Sequence, residues 1–458
     1  MADFKLKDKI SKLPLVTVYI TNHNYGKFLN KAIKSVLNQS LKDFELIIID
    51  DGSKDNSKEI IRKYQNNKKI KSIFQKNRGL IVSNNLALRL AKGKYIIRLD
   101  ADDWLDTHAL EIMSNVLERN KKIGLVFPDY HMVDRNGEIT DTVRRHNFKR
   151  VKLLDQPAHG ACTMVRKENL RDIGGYDEEF NCQDGYYLWL RFIKKYLVRN
   201  INLPLFYYRQ HSNSLSKNRE KILLSRSKII KKILRKNKKK TKKVLAILPV
   251  RGLGINPYSL VLKKIKNKKL IFHTIDNLVK CINIKYTVVT TPDLNLINIL
   301  KKKYKNKIIV IKRPHNLAGL NTETEKTFKH ALNSGKLKNA KYDYVMDISY
   351  NTPFLSTLNI ENAINTLQVF EADKVIPVTQ ETHRYFKHDV NGLKSIIKNS
   401  NLKLERDVIY KHIYGFNLYK KSKFNLPDDK LKISHVVLNK RESFECRSEE
   451  DLDLLNMF

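Results

Sequence analysis

The chain has 458 residues, of which 88 are Lys or Arg and 47 are Asp or Glu, so its formal net charge is +41. Hydrophobic residues make up 41% and aromatic residues 9%, which is enough for folded cores and excludes a wholly disordered chain. No stretch offers the roughly 18 consecutive apolar residues that a membrane-spanning helix needs.

The first half of the chain alternates short β-branched runs with amphipathic stretches, a pattern typical of a parallel α/β sheet. It predicts strands over 16–20, 45–49, 70–74, 95–99 and 124–127, and helices over 28–39, 53–64, 80–91 and 107–119. Polar residues follow these strands directly. Because open α/β sheets bind ligands at the carboxyl ends of their strands, we expect a binding site there.

Residues 217–243 interrupt this pattern with a strongly basic segment. It contains fourteen Lys or Arg and a single acidic residue, Glu220, while isoleucine and leucine recur at helical spacing. The segment therefore predicts a basic amphipathic helix that ends in a linker.

A second α/β pattern begins at Val244. It predicts strands over 244–248, 286–290, 308–311, 344–348 and 374–378, and a helix over 270–279. We therefore expect a first domain over 1–216, a helix and linker over 217–243, and a second α/β domain over 244–458.

The cysteines and the N-terminus bear on the compartment. The four cysteines are far apart and include no CxxC pair, so neither a disulfide framework nor a zinc site is predicted. The first residues contain no apolar stretch of the kind that forms a secretory signal. The expected location is the reducing cytoplasm.

An acidic motif, Asp100-Ala101-Asp102-Asp103, directly follows the fourth predicted strand. Carboxylates at positions i and i+2 beyond a strand can face one ligand, and their hard oxygens suit Mg²⁺ or Mn²⁺. Such an ion is useful when a diphosphate departs, because it neutralises the charge that builds up on the phosphate oxygens. Taken alone, the motif is also compatible with an acidic turn that caps the next helix.

Further motifs accompany this one in a fixed order. They are Thr21-Asn22-His23-Asn24-Tyr25, Asp50-Asp51-Gly52-Ser53, Asn77-Arg78-Gly79, Gly174-Gly175-Tyr176-Asp177, Gln183-Asp184 and Tyr208-Arg209-Gln210-His211. In order and spacing, residues 14–215 resemble the family 2 glycosyltransferases. The resemblance implies a Rossmann-like, A-type nucleotide-sugar transferase fold that uses a nucleoside diphosphate sugar and a divalent metal, Mn²⁺ or Mg²⁺.

The resemblance also implies roles in donor binding. Thr21, Tyr25 and Asp51 would line the nucleoside pocket, with Asp51 hydrogen-bonded to the base. Asp50 would support the strand end beside them, and Arg78 would approach the base or the ribose.

The remaining implied roles concern the reaction itself. Asp100 would hold the ribose or the sugar, Asp102 would coordinate the metal, and His211 would contact the metal or the diphosphate. Asp184 is the candidate general base, which would take the proton of the acceptor hydroxyl and give inversion in one displacement. Such a base must be separate from the metal ligands, since metal-bound oxygens are poor bases.

One departure from the family concerns the donor. Where the family often has Ala-Arg-Asn after its Asn-x-Gly element, this chain has Val82-Ser83-Asn84-Asn85. The missing arginine leaves the identity of the donor open.

Residues 244–458 are similar to the acylneuraminate and 3-deoxy-manno-octulosonate cytidylyltransferases, which join CTP to an acidic sugar. The similarity rests on a strand followed by Pro249-Val-Arg-Gly-Leu-Gly254 and on later elements such as Thr352-Pro353-Phe354 and Tyr414-Gly415-Phe416. The chain lacks the lysine of the family's phosphate loop, and Asp347-Ile348-Ser349 stands where the family has a nucleotide-facing segment. A catalytically weakened domain is therefore expected, with Arg251 and Asp347 as the residues of a second site.

The leading hypothesis is an inverting, metal-dependent glycosyltransferase for a bacterial surface glycan such as lipopolysaccharide or capsule, with a glycan or lipid-linked acceptor. An alternative is a bifunctional enzyme that also makes a CMP-activated acidic sugar. A basic nucleic-acid-binding protein is the non-enzymatic alternative, but residues 217–243 contain no aromatic residue for base stacking, so no nucleic acid is expected. The basic segment instead favours peripheral contact with the anionic inner face of the cytoplasmic membrane.

Overall fold

The computed structural model of the chain describes residues 13–145, 160–180, 184–210, 219–236, 242–319, 322–381, 385–390, 392–395 and 409–457. The chain divides between Ser225 and Arg226 into two compact units. Each unit is built around its own α/β sheet.

The first unit begins with alternating strands and helices. They are β1 (Val16–Asn22), α1 (Gly26–Leu37), β2 (Phe44–Asp51), α2 (Ser57–Arg62), β3 (Ile70–Gln75), α3 (Leu80–Leu90) and β4 (Tyr95–Asp100). All of the pairs β1–β2, β1–β4 and β2–β3 are parallel. The parallel α/β arrangement predicted for this part is confirmed.

The second part of this unit adds shorter strands. Its elements are β5 (Trp104–Leu105), α4 (Ala109–Arg119), β6 (Ile123–Val133), β7 (Ile139–Val143), β8 (Met164–Arg166), α5 (Lys167–Asp172), α6 (Asp184–Phe192) and β9 (Leu197–Arg209). Strand β8 runs antiparallel to β4 and β6, and β5 runs antiparallel to β9. The sheet order is β3-β2-β1-β4-β8-β6-β9-β5, with β7 paired to β6.

The position of the candidate site follows from this order. Strand β1 lies between β2 and β4, so the direction of chain progression reverses there. In open α/β sheets this is the point at which a crevice for ligands lies beyond the carboxyl ends of the strands, here β1 and β4. In this register Thr21 is opposite Asp100, and Asn22 is opposite Asp50. Below the crevice, fully buried side chains such as Val18 and Leu99 form the core.

The second unit contains most of α7 and a second sheet. Its elements are α7 (Arg219–Lys236, which begins in the first unit), β10 (Val244–Pro249), β11 (Lys264–Ile265), β12 (Lys268–Lys269), α8 (Leu270–Lys280), β13 (Ile284–Thr291), α9 (Leu294–Tyr304), β14 (Ile309–Lys312), α10 (Thr324–Leu332), β15 (Tyr344–Ile348), α11 (Thr357–Val369), β16 (Lys374–Glu381), β17 (Phe386–Asp389), β18 (Gly392–Ser395), β19 (Ile409–His412), β20 (Phe416–Lys420), β21 (Ile433–Val437) and α12 (Glu449–Met457). The sheet order is β14-β13-β10-β15-β20-β16-β19, with β21 paired to β16. Strand β10 again lies where chain progression reverses, since it pairs with both β13 and β15 in parallel.

The basic segment predicted over 217–243 is a helix over Arg219–Lys236 whose apolar face is buried within the protein. Ile229 and Ile230 are fully buried, and Lys231 lies 3.8 Å from the carboxylate of Glu361 on α11. The division between the two units falls inside this helix rather than at its ends. None of the helices in the described ranges is long and apolar enough to span a bilayer.

Candidate active site

The acidic motif forms the loop that follows β4, on one side of the crevice. Asp100 is half-buried and pairs with the guanidinium of Arg98, whose Nε lies 3.0 Å from its Oδ1. Asp103 is buried, and its Oδ1 accepts the backbone N–H of Arg209 at 2.9 Å. Asp102 lies between them and is partly exposed. The loop is therefore held at both ends around Asp102.

Three carboxyl groups are crowded in this loop. Burial raises the pKa of Asp103 well above its ordinary value, and the charges of Asp102 and Asp100 raise it further. Burial also raises the pKa of the Tyr25 phenol to about 12, again with contributions from Asp102 and Asp100. Because Asp100 and Asp102 contribute to both shifts, their carboxyl groups lie close to Asp103 and to Tyr25.

The carboxyl groups of Asp100, Asp102 and Asp103 suit Mg²⁺ or Mn²⁺ because their oxygens are hard ligands. Within the described ranges, no three His, Cys, Asp or Glu side chains come together as a complete metal site. Mg²⁺ in enzymes is commonly held by one or two carboxylates together with substrate phosphates. The loop matches that arrangement, in which the substrate completes the coordination.

Asp50 and Asp51 build the opposite side of the crevice. Asp50 is fully buried, accepts a hydrogen bond from Asn22 at 2.9 Å and accepts the N–H of Ser53 at 3.2 Å. Its carboxylate therefore supports the turn that follows β2 and is closed to a ligand in this structure. Asp51 accepts the backbone N–H of Arg78 at 2.9 Å, so it fixes the segment between β3 and α3.

The other predicted donor residues lie near this turn. Thr21 is half-buried at the end of β1, Tyr25 precedes α1, and the side chain of Arg78 is exposed. The structure thus places Thr21, Tyr25, Asp51 and Arg78 at the edge of the sheet where β1, β2 and β3 end. Their contacts with a nucleoside stay a prediction.

His23 and Arg98 are two residues to which the sequence analysis assigned no role. The His23 ring is exposed in the crevice, with Nδ1 2.9 Å from the carbonyl oxygen of Asp51 and Nε2 3.2 Å from the side chain of Asn77. The sequence signal for His23 is a histidine directly after a central strand. Arg98 gave none, since it stands inside an otherwise apolar strand.

Asp184, the predicted general base, is the first residue of α6. The next residue, Gly185, packs so closely that a Cβ there would lie 3.2 Å from the Cα of Gly160. A Cβ on Gly160 would in turn lie 2.8 Å from the guanidinium of Arg98, the partner of Asp100. The backbone at the start of α6 is thereby brought to the same region as the acidic loop. His211 lies outside the described residues.

In the second unit, an acidic side chain occupies the glycine-rich loop after β10. The N–H of Leu253 donates to Asp293 Oδ2 at 3.0 Å, while Asp293 Oδ1 accepts the N–H of Leu296 and caps α9. Gly252 has a φ of +79° and packs directly against the same carboxylate. A backbone N–H that a phosphate-binding loop would offer to an anion is thus already used by a carboxylate.

Arg251 and Asp347 have different surroundings. Arg251 donates to the carbonyl oxygen of Gly319 at 3.3 Å. Asp347 lies opposite Asn417 on β20, and the two side chains are 3.4 Å apart. Burial raises the pKa of Asp347 to about 6, although the Asn417 hydrogen bond and the charge of Lys374 oppose the shift.

The raised pKa of Asp347 makes the stability of the second unit depend on pH. Since the folded state binds the proton more tightly, stability should fall as pH rises from about 4 through about 6. Asp347→Asn should therefore stabilise the unit at pH 7 by about 1–3 kcal/mol and leave stability at pH 4 nearly unchanged. Calorimetry of the full chain across this pH range would measure both.

Asp373→Asn is the matched control in the same unit. Burial raises the pKa of Asp373, but the hydrogen bonds that its carboxylate accepts from Lys420 and Lys432 outweigh burial and hold the pKa below its ordinary value. This variant should lose stability at pH 7. Equal effects of the two substitutions would contradict the assignment for Asp347.

Comparison with known proteins gives two family matches. Residues 17–174 match the model of glycosyl transferase family 2, and residues 261–449 match a cytidylyltransferase model. The two matches lie one in each unit, as the sequence analysis predicts.

Similar proteins match slightly less than half of the chain. A chondroitin synthase of Escherichia coli is 30% identical over 43% of this chain and 30% of its own length. An uncharacterised glycosyltransferase of Methanocaldococcus jannaschii is 35% identical over 39% of this chain and 65% of its own. A UDP-Glc:alpha-D-GlcNAc-diphosphoundecaprenol beta-1,3-glucosyltransferase of Escherichia coli is 28% identical over 48% of this chain and 87% of its own length. The chain thus spans less than a third of the chondroitin synthase.

Proposed function

We propose that this chain, which joins a domain of glycosyl transferase family 2 to a cytidylyltransferase domain, transfers a sugar from a nucleoside diphosphate sugar to a hydroxyl group of a growing surface polysaccharide. The observation that carries this proposal is the crowding of Asp100, Asp102 and Asp103 at the reversal point of the sheet. The E. coli relatives are named as a chondroitin synthase and a glucosyltransferase acting on a diphosphoundecaprenol-linked sugar, which supports a polysaccharide pathway.

The donor would lie in the crevice between β1 and β4. Thr21, Tyr25 and Asp51 would contact the nucleoside, and Arg78 has an exposed side chain beside them. Asp100, fixed by Arg98, would hold the ribose or the sugar. Asp50 would act only through the turn that it supports.

The departing diphosphate would lie against the acidic loop. Mn²⁺ or Mg²⁺, held by Asp102 and by His211, would supply charge neutralisation on the diphosphate oxygens. Asp184 would accept the proton of the acceptor hydroxyl as its oxygen attacks the anomeric carbon from the face opposite the diphosphate, so that the configuration inverts. Proton transfer and metal binding would thus be carried out by different carboxylates, one on α6 and one on the loop after β4.

A donor screen tests the proposal. The full chain would be titrated with UDP-, GDP-, dTDP- and CMP-sugars, with and without Mn²⁺. We expect one donor to bind tightly, and its binding to depend on Mn²⁺ and to weaken in Asp102→Asn. Protein that binds none of these donors would disprove the proposal.

For the second unit we propose a domain that has lost CTP turnover and serves in sugar binding, assembly or regulation. Asp293 supports this view because its carboxylate occupies the loop N–H of Leu253 and would repel a triphosphate. The full chain should therefore release no diphosphate from CTP and Mg²⁺ with any keto-acid sugar. Release above the level of heat-denatured protein would instead establish the bifunctional enzyme.

We also propose that the protein works in the cytoplasm, in peripheral contact with the anionic membrane surface. Since the apolar face of α7 is buried, this contact would use only exposed basic side chains such as Lys221, Lys228 and Arg235. Contacts of this kind contribute about 1 kcal/mol per basic residue near the surface and weaken strongly with salt.

A further inference from the structure

Arg209, the last residue of β9, connects separate segments of the first unit. Its backbone N–H donates to Asp103 Oδ1 at 2.9 Å, and its Nε donates to the carbonyl oxygen of Asp102 at 3.0 Å. Its Nη1 donates to the carbonyl oxygens of Asp134 and Arg135, in the turn between β6 and β7, at 3.2 and 2.7 Å. One residue thereby ties the acidic loop to a neighbouring turn.

Two aromatic rings contact the guanidinium of Arg209. Its Cζ lies 4.6 Å from the ring centre of Phe28 and 4.8 Å from that of Trp104. Tyr207 stacks on Trp104 at 4.8 Å, and Lys31 Nζ lies 3.3 Å from the same ring. Cation–π contacts together with directed hydrogen bonds leave the guanidinium little freedom to move.

Arg209 cannot itself contact a substrate in this structure, because only 4% of the residue is exposed. Burial lowers the pKa of its guanidinium, while the charges of Asp103 and Asp102 oppose that shift. A buried cation is thus balanced by the carboxyl groups of the acidic loop. Any effect of Arg209 on a ligand must therefore pass through the residues that it contacts, among which Asp102 and Asp103 belong to the acidic loop.

We propose that Arg209 is a positioning residue: it fixes the backbone of Asp102 and the carboxyl group of Asp103 so that the acidic loop binds a divalent cation together with a nucleoside diphosphate. This inference rests on the proposed function. Replacing a group that orients a metal ligand without itself binding the metal typically lowers metal affinity by about 10- to 100-fold. The loop offers few ligands of its own, so their orientation matters all the more.

Arg166 provides a matched control in the same unit. It is also buried, and it donates to the carbonyl oxygens of Ile123 and Asn120 and to the hydroxyl of Tyr95. Arg166 is the last residue of β8 and lies opposite Tyr95, the first residue of β4, whereas the acidic loop follows the other end of β4. Replacing Arg166 removes a comparable set of hydrogen bonds from a buried guanidinium without affecting the acidic loop.

The test compares Arg209→Lys with Arg166→Lys in the full chain. Lysine keeps the charge but lacks the planar fork that reaches several carbonyl oxygens at once. Mn²⁺ binding would be followed by electron paramagnetic resonance in the presence of UDP, GDP, dTDP or CDP, and the Tm would be measured in parallel. We expect both variants to lower the Tm, but only Arg209→Lys to weaken nucleotide-dependent Mn²⁺ binding, by about tenfold or more.

The outcomes separate the two proposals. Wild-type affinity for Mn²⁺ in Arg209→Lys, or an equal loss in both variants, would show that Arg209 only stabilises the fold, and the proposed function would stand. Wild-type protein that binds no Mn²⁺ with any of the four diphosphates would overturn both proposals. A selective loss in Arg209→Lys would support the positioning role.

Discussion

Asp102→Asn should reduce sugar transfer by about 100- to 1,000-fold, because it removes the charged oxygen that we propose as a ligand of the metal beside the departing diphosphate. The substitution preserves size, and it leaves the backbone carbonyl that accepts Arg209 Nε in place. We therefore expect an unchanged Tm and a large loss of Mn²⁺-dependent donor affinity. Steady-state kinetics and donor titration with and without Mn²⁺ would measure these effects.

Asp106→Asn is the control for this prediction. Asp106 lies four residues further along the same segment, where its Oδ1 accepts the N–H of His108 at 2.9 Å. An asparagine can still accept that bond, so transfer should stay near the wild-type rate. If Asp102→Asn kept its Mn²⁺-dependent donor binding, Asp102 would no longer be a metal ligand.

The central strands of both units could be predicted because buried parallel strands are continuous apolar runs. β1 and β10 are examples, and both are almost wholly buried. β5 and β8 have only two and three residues, which is too short for any periodicity to show. The mixed, antiparallel side of each sheet therefore emerges only from the structure.

The candidate site was partly predictable for a similar reason. Residues that follow central strands, such as Asp51 and Asp102, reach one crevice by the topology of the sheet alone. Pairings over long sequence separations leave no local pattern, and the contact between Arg209 and Asp102 spans 107 positions. Asp293 likewise meets Leu253 across 40 positions. Such contacts decide which carboxylates face a ligand and which are used by the protein.

Asp50 shows how this distinction changes the reading of a motif. The sequence presents Asp50 and Asp51 as adjacent candidates, but neighbouring strand residues point to opposite faces. Asp50 is fully buried and bonded to Asn22, whereas Asp51 holds the backbone of Arg78. The two acids stabilise different segments on the same side of the crevice, so Asp50→Asn should act mainly on folding.

Asp184→Asn should reduce the transfer rate by about 100- to 10,000-fold while leaving donor and Mn²⁺ binding intact, because a general base acts only on the acceptor proton. The position of α6 supports this expectation, since Gly185 packs on Gly160 and Gly160 packs on Arg98. Asp177→Asn is the control, as the Asp177 carboxylate accepts the N–H of Glu179 within a turn that an asparagine can also form. Near wild-type turnover in Asp184→Asn would assign the proton transfer to another group. A joint loss of donor binding and turnover would place Asp184 in the donor site, so the separation of the two measurements is what identifies a base.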